Sequence, residues 1–152
     1  AAGADAVSIA GSAGRVVINQ GSNTTVGGSA VGTASLVSAF DTITGFRAGI
    51  DKIDAVNPGG ANQLTTVNVN VSTSLADLAG TLNNAVATAG ALAATNWDAA
   101  GDALLVNIAS GTASGTYFVQ NAAGAVIAFD AAADLVVKLV GTVGVITQAD
   151  FV

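Results

Sequence analysis

The chain has 152 residues, 51% of them hydrophobic, with four basic side chains, ten acidic ones and a formal net charge of −6. All ten acids are aspartate, and histidine, cysteine, methionine and glutamate are absent. That inventory removes disulfides, thiolate nucleophiles, zinc-thiolate sites and imidazole bases, and leaves no basic cluster able to neutralise several phosphates of a nucleic acid.

What remains is short carboxylates on a Gly- and Asn-rich background, which suits hard oxygen-ligand chemistry such as Ca²⁺ binding. The length allows one domain with a real core, or two small modules sharing one. No stretch is apolar and long enough for a membrane-spanning helix, so membrane insertion is not expected. The missing initiator methionine and signal-peptide pattern predict a chain that starts inside a longer or processed polypeptide.

The first forty residues read as short β segments at 7–10, 15–19, 24–26 and 36–40, separated by Gly11, Gly14, Gly21, Gly27, Gly28 and Gly32. Short strands with frequent glycine turns suggest the rungs of a β-roll or short β-solenoid, which bury their faces only by stacking. An irregular Gly/Ser/Ala-rich linker is the alternative.

The segment 41–54, DTITGFRAGIDKID, carries the densest pattern. Ile43, Phe46, Ile50 and Ile53 are spaced to face a core, Gly49 supplies a turn, and the aspartates rim the loops. Asp41, Asp51 and Asp54 are candidate Ca²⁺ ligands, since three carboxylates with backbone carbonyls and water reach the six to eight oxygens the ion takes. They are equally suited to capping turns and pairing with Arg47 and Lys52. Asn57, Pro58, Gly59 and Gly60 then close a first segment, 1–60.

The second segment, 61–152, is expected to share a core with the first. Val67, Val69 and Val71 alternate with Asn68 and Asn70, the period of a half-exposed strand. The period then changes: Leu75, Leu78, Leu82 and Val86 recur at three and four, Ser74 or Ser72 is placed to cap, Asp77 sits near the positive end, and Gly90 stops the run. This predicts one amphipathic helix over 74–89, with Trp97 packed on it. Strands are expected at 104–108, 117–120, 126–129 and 135–140, joined by hairpin-length loops into an antiparallel meander. Two loop pairs, Asp98 with Asp102 and Asp130 with Asp134, are secondary candidates for a metal. The expected fold is therefore mainly β, with a β-roll or short β-solenoid front, one amphipathic helix and a carboxy-terminal antiparallel meander.

Catalysis lacks its parts. There is no G-x-S-x-G elbow and no Ser-x-x-Lys arrangement, and Gly27-Gly28 and Gly59-Gly60 lack the lysine of a phosphate loop. The chain is not expected to be an enzyme.

Residues 41–54 resemble the segment D-x-I-x-x-F-x-x-G-x-D-x-I-D that follows the calcium-binding repeats of bacterial repeats-in-toxin exoproteins and surface-layer proteins exported by type I secretion. Asp41, Ile43, Phe46, Gly49, Asp51, Ile53 and Asp54 occupy its fixed positions. The stretch from Gly101 and Asp102 through Tyr117, Phe118, Phe129, Asp130 and Asp134 to Asp150 and Phe151 is similar to the closing export module of such proteins. Upstream, Gly27, Gly28 and Gly32 lack the aspartate of an intact G-G-x-G-x-D repeat.

The resemblance implies a secreted bacterial protein, extracellular or at the cell surface, with Ca²⁺ as the associated ion and the type I secretion machinery as an export partner. Two functions are compatible with it. One is a structural module of a self-assembling surface-layer, biofilm or filament protein, whose partners are copies of itself, with polysaccharide left open. The other is the secretion and calcium-binding module of an exported enzyme whose catalytic domain lies upstream.

Overall fold

The computed structural model describes residues 6–11, 14, 17–19, 37–54, 64–91, 97, 101–121 and 128–151. In chain order these form strands β1 (Ala6–Ser8), β2 (Val17–Asn19), β3 (Asp41–Thr44), β4 (Lys52–Asp54) and β5 (Leu64–Ser72), helix α1 (Leu78–Ala91), and strands β6 (Ala103–Ser110), β7 (Gly115–Gln120) and β8 (Leu135–Val140). A 3₁₀ turn, Gln148–Asp150, follows.

The fold is mixed α/β: one helix against a mixed six-stranded sheet, with a second two-stranded sheet. The large sheet has the order β1-β3-β8-β7-β6-β5. β1, β3 and β8 are mutually parallel, β6 and β5 are parallel, and β7 runs against both of its neighbours. It follows that β7 is the one reversed strand of the large sheet. The small sheet pairs β2 with β4 in parallel, Ile18 opposite Ile53. Two isolated parallel bridges, Arg47 with Val143 and Ile53 with Phe151, extend the match between 41–54 and the end of the chain.

Each strand follows from its side chains. β6 is a near-continuous apolar run, and Ala103 to Val106 are all buried, as expected for a central strand covered on both faces. β5 keeps the alternation of a half-covered strand: Val67 is buried and Val69 partly so, while Asn68 and Asn70 are exposed. The helix is entered through a turn in which the Ser74 hydroxyl accepts from Asp77 N at 3.2 Å and donates to the Asp77 carboxylate. Gly111, at φ +96°, lies so close to the backbone of residue 73 that a Cβ would come within 2.1 Å of Thr73 O. Only glycine fits there, and it lets Ala113 N donate to Thr73 O at 3.0 Å.

Two apolar layers lie on opposite faces of the large sheet. On one, Leu78, Leu82, Ala85, Val86 and Ala89 of α1 pack with Trp97 against Leu104, Val106, Ile108, Tyr117, Val119 and Val136. On the other, Ile9, Ile43, Phe46 and Ile53 pack with Leu105, Phe118, Val137, Leu139 and Phe151. The second cluster draws on both ends of the chain, because β1 and β3 join the same sheet as β8.

Several expectations change in detail. The helix spans Leu78–Ala91, later than 74–89, because Ser74 and Asp77 use their side chains in the entry turn. Leu75 is 53% exposed instead of buried, since it precedes the helix and its N–H is held by Thr112 Oγ1. Ile50 is 50% exposed, carried outward by the turn at 47–51. β6, β7 and β8 do form an antiparallel meander, but it is embedded in parallel neighbours on both sides. Of the expected β segments, 24–26 lies outside the described residues, as do 126–127 and all of 57–60, while 128–129 form a bend instead of a strand and 37–40 forms a turn and a single bridge residue.

Candidate functional site

The segment that stood out in sequence folds into one strand, a tight turn and a second strand. Ile43, Phe46 and Ile53 are completely buried in the second apolar layer. Gly45 at φ +83° ends β3 where the chain passes Ala10, and a Cβ on it would sit 2.8 Å from Ala10 backbone atoms. Gly49, also left-handed at φ +81°, opens onto free space.

Between these glycines the turn is closed by a carboxylate. Asp51, fully buried, accepts from Arg47 N at 2.9 Å and Arg47 Nε at 2.9 Å through Oδ2, and from Arg47 Nη2 at 2.7 Å through Oδ1. This bidentate pairing is the geometry that suits a guanidinium to a carboxylate. The hydrogen bond to Asp51 raises the Arg47 pKa above its ordinary value, with desolvation opposing and charge attraction adding to it. The same guanidinium also donates to Gly14 O, tying this turn to the amino-terminal segment.

The end of the chain docks on this turn from the other side. Gly45 N donates to Val140 O, Val143 N to Phe46 O, and Ala48 N to Val143 O, all at 2.8–2.9 Å. Asp150, fully buried, accepts from Gly49 N at 2.6 Å through Oδ1 and from Thr147 N at 2.8 Å through Oδ2. Lys52 Nζ lies 3.8 Å from Asp150 Oδ1 and donates to Ala149 O. Phe151 then stacks on Phe118, with ring centroids 4.3 Å apart and planes at 20°. The conformation of 41–54 is thus fixed by contacts from residues almost a hundred positions away.

The candidate metal ligands are distributed among these roles. Asp41 begins β3, buried, in register with Val137. Asp51 caps the turn, and Asp54 ends β4 in backbone register with Asn19. Among the described residues no group of three or more carboxylates is placed to hold a metal ion.

Asp98 lies outside the described residues. Asp130 and Asp134 meet as turn caps: Asp130 N donates to Asp134 Oδ2 at 2.7 Å, and Ala132 N donates to Asp130 Oδ1 at 2.8 Å. Asp102 is buried beside Asn121, whose N–H donates to Asp102 O at 2.8 Å. The register of β6, β7 and β8 places Asp102, Asn121 and Asp134 in one row at the end of the sheet, all three buried.

Two features were missed in the sequence. The first is the pairing of Asp150: the resemblance of the closing stretch singles out this residue but not its partner, and the fold makes it the carboxylate that closes 41–54, its local signal being the Thr147-x-x-Asp150 spacing of a helix-entry turn. The other is a polar ladder on the face of the sheet away from the helix: Thr116 Oγ1 donates to Asn107 Oδ1 at 2.9 Å, and Asn107 Nδ2 donates to Asn68 Oδ1 at 3.0 Å. Asn68 could be placed on an exposed face by alternation, but its partners come from strands whose pairing no local pattern reveals. Among the described residues no helix is long and apolar enough to cross a membrane. Comparison of the chain with family models, with curated proteins and with solved structures returns no match to any of the three.

Proposed function

We infer that the chain is a structural module of an exported, self-assembling surface-layer, biofilm or filament protein, built on a β-roll or short β-solenoid front. The reading takes 6–19, 41–54 and 135–151 as three successive coils. Support comes from the parallel registers of β1, β3 and β8 and from the second ladder of β2, β4 and Phe151. Export through type I machinery and residence at a bacterial surface belong to the same proposal and rest on the resemblance of 41–54 and of the closing stretch.

The observation that carries the assembly reading is the pair of outer strands. β1 and β5 end the large sheet and run in the same direction, and no described residue pairs with the outer edge of either. β5 is nine residues long and carries no charged side chain, so it lacks the lysines and prolines that ordinarily blunt an edge. Laying β5 of one copy beside β1 of the next extends the sheet in parallel. Such a head-to-tail contact does not close on itself and produces filaments.

Analytical ultracentrifugation and negative-stain microscopy over a wide concentration range test this. Concentration-dependent association and fibrous particles are expected for the parent chain, and the double variant Asn70→Lys, Val71→Lys should remain monomeric with an unchanged circular dichroism spectrum. Both residues are exposed on β5. A single monomeric species of the parent at every concentration would overturn the assembly reading.

A further inference from the structure

The face of the large sheet opposite the helix is covered unevenly. Over β3, β8 and the adjoining half of β7 it is closed by Phe46, Ile53 and Phe151. Towards β5 the apolar side chains give way to polar ones, and Thr66, Asn68 and Asn70 are exposed. Between these halves lies a groove of about 300 Å³, with Leu105, Asn107 and Thr116 as its floor, Thr66 on one wall and the loop 142–146 on the other.

Three properties of this groove narrow what it can take. Its described lining consists of Thr, Asn, Leu, Ile, Val and Gly, with no ionisable side chain among those residues, in a chain of net charge −6. Its polar groups are held before any ligand arrives, because the hydrogen bonds from Thr116 to Asn107 and from Asn107 to Asn68 fix three side chains in a row across three strands. Ordering cost on binding is correspondingly reduced. Its floor also has an apolar strip: Leu105 is buried, and half-buried Ile146 packs against the same cluster.

Amides and hydroxyls with both donor and acceptor capacity, beside a small apolar surface and without charge, match a ligand rich in hydroxyl groups, uncharged, and apolar on one face of its ring. An anionic ligand meets no cation among the described lining residues, and a purely aliphatic one would strip water from the Asn and Thr groups without replacing their hydrogen bonds. We propose that the groove between β5, β6, β7 and the loop 142–146 binds a neutral saccharide, read by Thr66, Asn107 and Thr116 and stacked on Leu105 and Ile146, with Asn68 holding the Asn107 amide in place. The site is independent of the assembly proposed above, since the groove lies within one copy.

The full chain, isotopically labelled, is titrated with cellotetraose, N-acetylchitotetraose and mannotetraose, and in parallel with an alginate oligomer as an anionic counterpart. At least one neutral oligomer should give saturable shifts in the side-chain amide resonances of Asn68 and Asn107 and in the backbone of 142–146, with alginate silent. Thr66→Ala, whose side chain is exposed on the groove wall, should weaken that binding about tenfold, the loss of one hydrogen bond to ligand, while the melting temperature stays unchanged. Val145→Glu, at a rim residue 82% exposed, gives a second check that does not touch the ladder, and it too should weaken binding. The proposal is overturned by the absence of shifts with all three neutral oligomers, by shifts centred elsewhere, by preference for alginate, or by binding that both variants leave intact.

Discussion

Replacing Phe151 by alanine removes the ring that seals the last segment onto the sheet. Phe151 is 5% exposed, stacks on Phe118 at 4.3 Å and bridges to Ile53. Truncating a buried phenylalanine costs about 3–5 kcal/mol through lost transfer energy and the cavity left behind. A site so near the chain end relaxes more readily than a central one, so the lower figure, about 3 kcal/mol, applies. At about 2–4 °C per kcal/mol for a chain of this size, the melting temperature should fall by roughly 6–12 °C. Thermal and urea unfolding followed by circular dichroism measure it, with Val145→Ala, at an 82% exposed position, as a control expected to stay within about 0.5 kcal/mol of the parent. In a double-mutant cycle, Phe118→Ala and Phe151→Ala should couple by about 0.5–1.5 kcal/mol, the contribution of a stacked aromatic pair. A Phe151→Ala protein melting within about 2 °C of the parent would refute the reasoning, because the closing segment would then contribute nothing to the core that contains 41–54.

Gly45→Ala and Gly49→Ala separate backbone strain from close approach: both place a side chain at positive φ, costing about 1–2 kcal/mol, but only Gly45→Ala also drives a Cβ into Ala10, so its loss in urea unfolding should be clearly larger. Equal losses would show that β1 does not pass so near. Burial raises the pKa of Tyr117, the only tyrosine, so its folded value lies above the unfolded value of about 10. The neutral phenol therefore contributes stability that is fully present below about pH 10 and is lost as pH rises through the folded pKa. Tyrosinate absorbance should titrate above the free phenol in the native protein, and an ordinary midpoint would contradict the buried placement. Addition of Ca²⁺ or of a chelator should leave the melting temperature unchanged, because Asp51 accepts from Arg47, Asp150 from Gly49 and Thr147, and Asp134 from Asp130. A rise on adding the ion would mean that these turns reorganise to bind it.

Elements with a local cause were legible in the sequence. The valine and asparagine alternation of β5 follows from the two-residue period of a strand, and the spacing of Leu78, Leu82 and Val86 from the helical period, because both depend on neighbours a few residues apart. Even there the helix start was misjudged, since Ser74 and Asp77 were free to form either a first turn or the entry bend that precedes it. Ile43, Phe46 and Ile53 were recognisable as core residues of 41–54, but Ile50 was not recognisable as exposed, because the turn that ejects it is held by Arg47 and Asp51.

What tertiary structure alone decided is the partner of each element. Residues 41–54 lie beside 137–151, and β5 lies parallel to β6, although the strand periodicity of each would be the same in any order of the sheet. The candidate carboxylates show the same division. Composition established that aspartates would carry whatever acidic chemistry the chain has, while only the fold determined that Asp51 faces Arg47, that Asp150 reaches Gly49, and that Asp102 and Asp134 share a row with Asn121. Residue type fixes which bonds a side chain can form, and long-range packing selects the partner it meets.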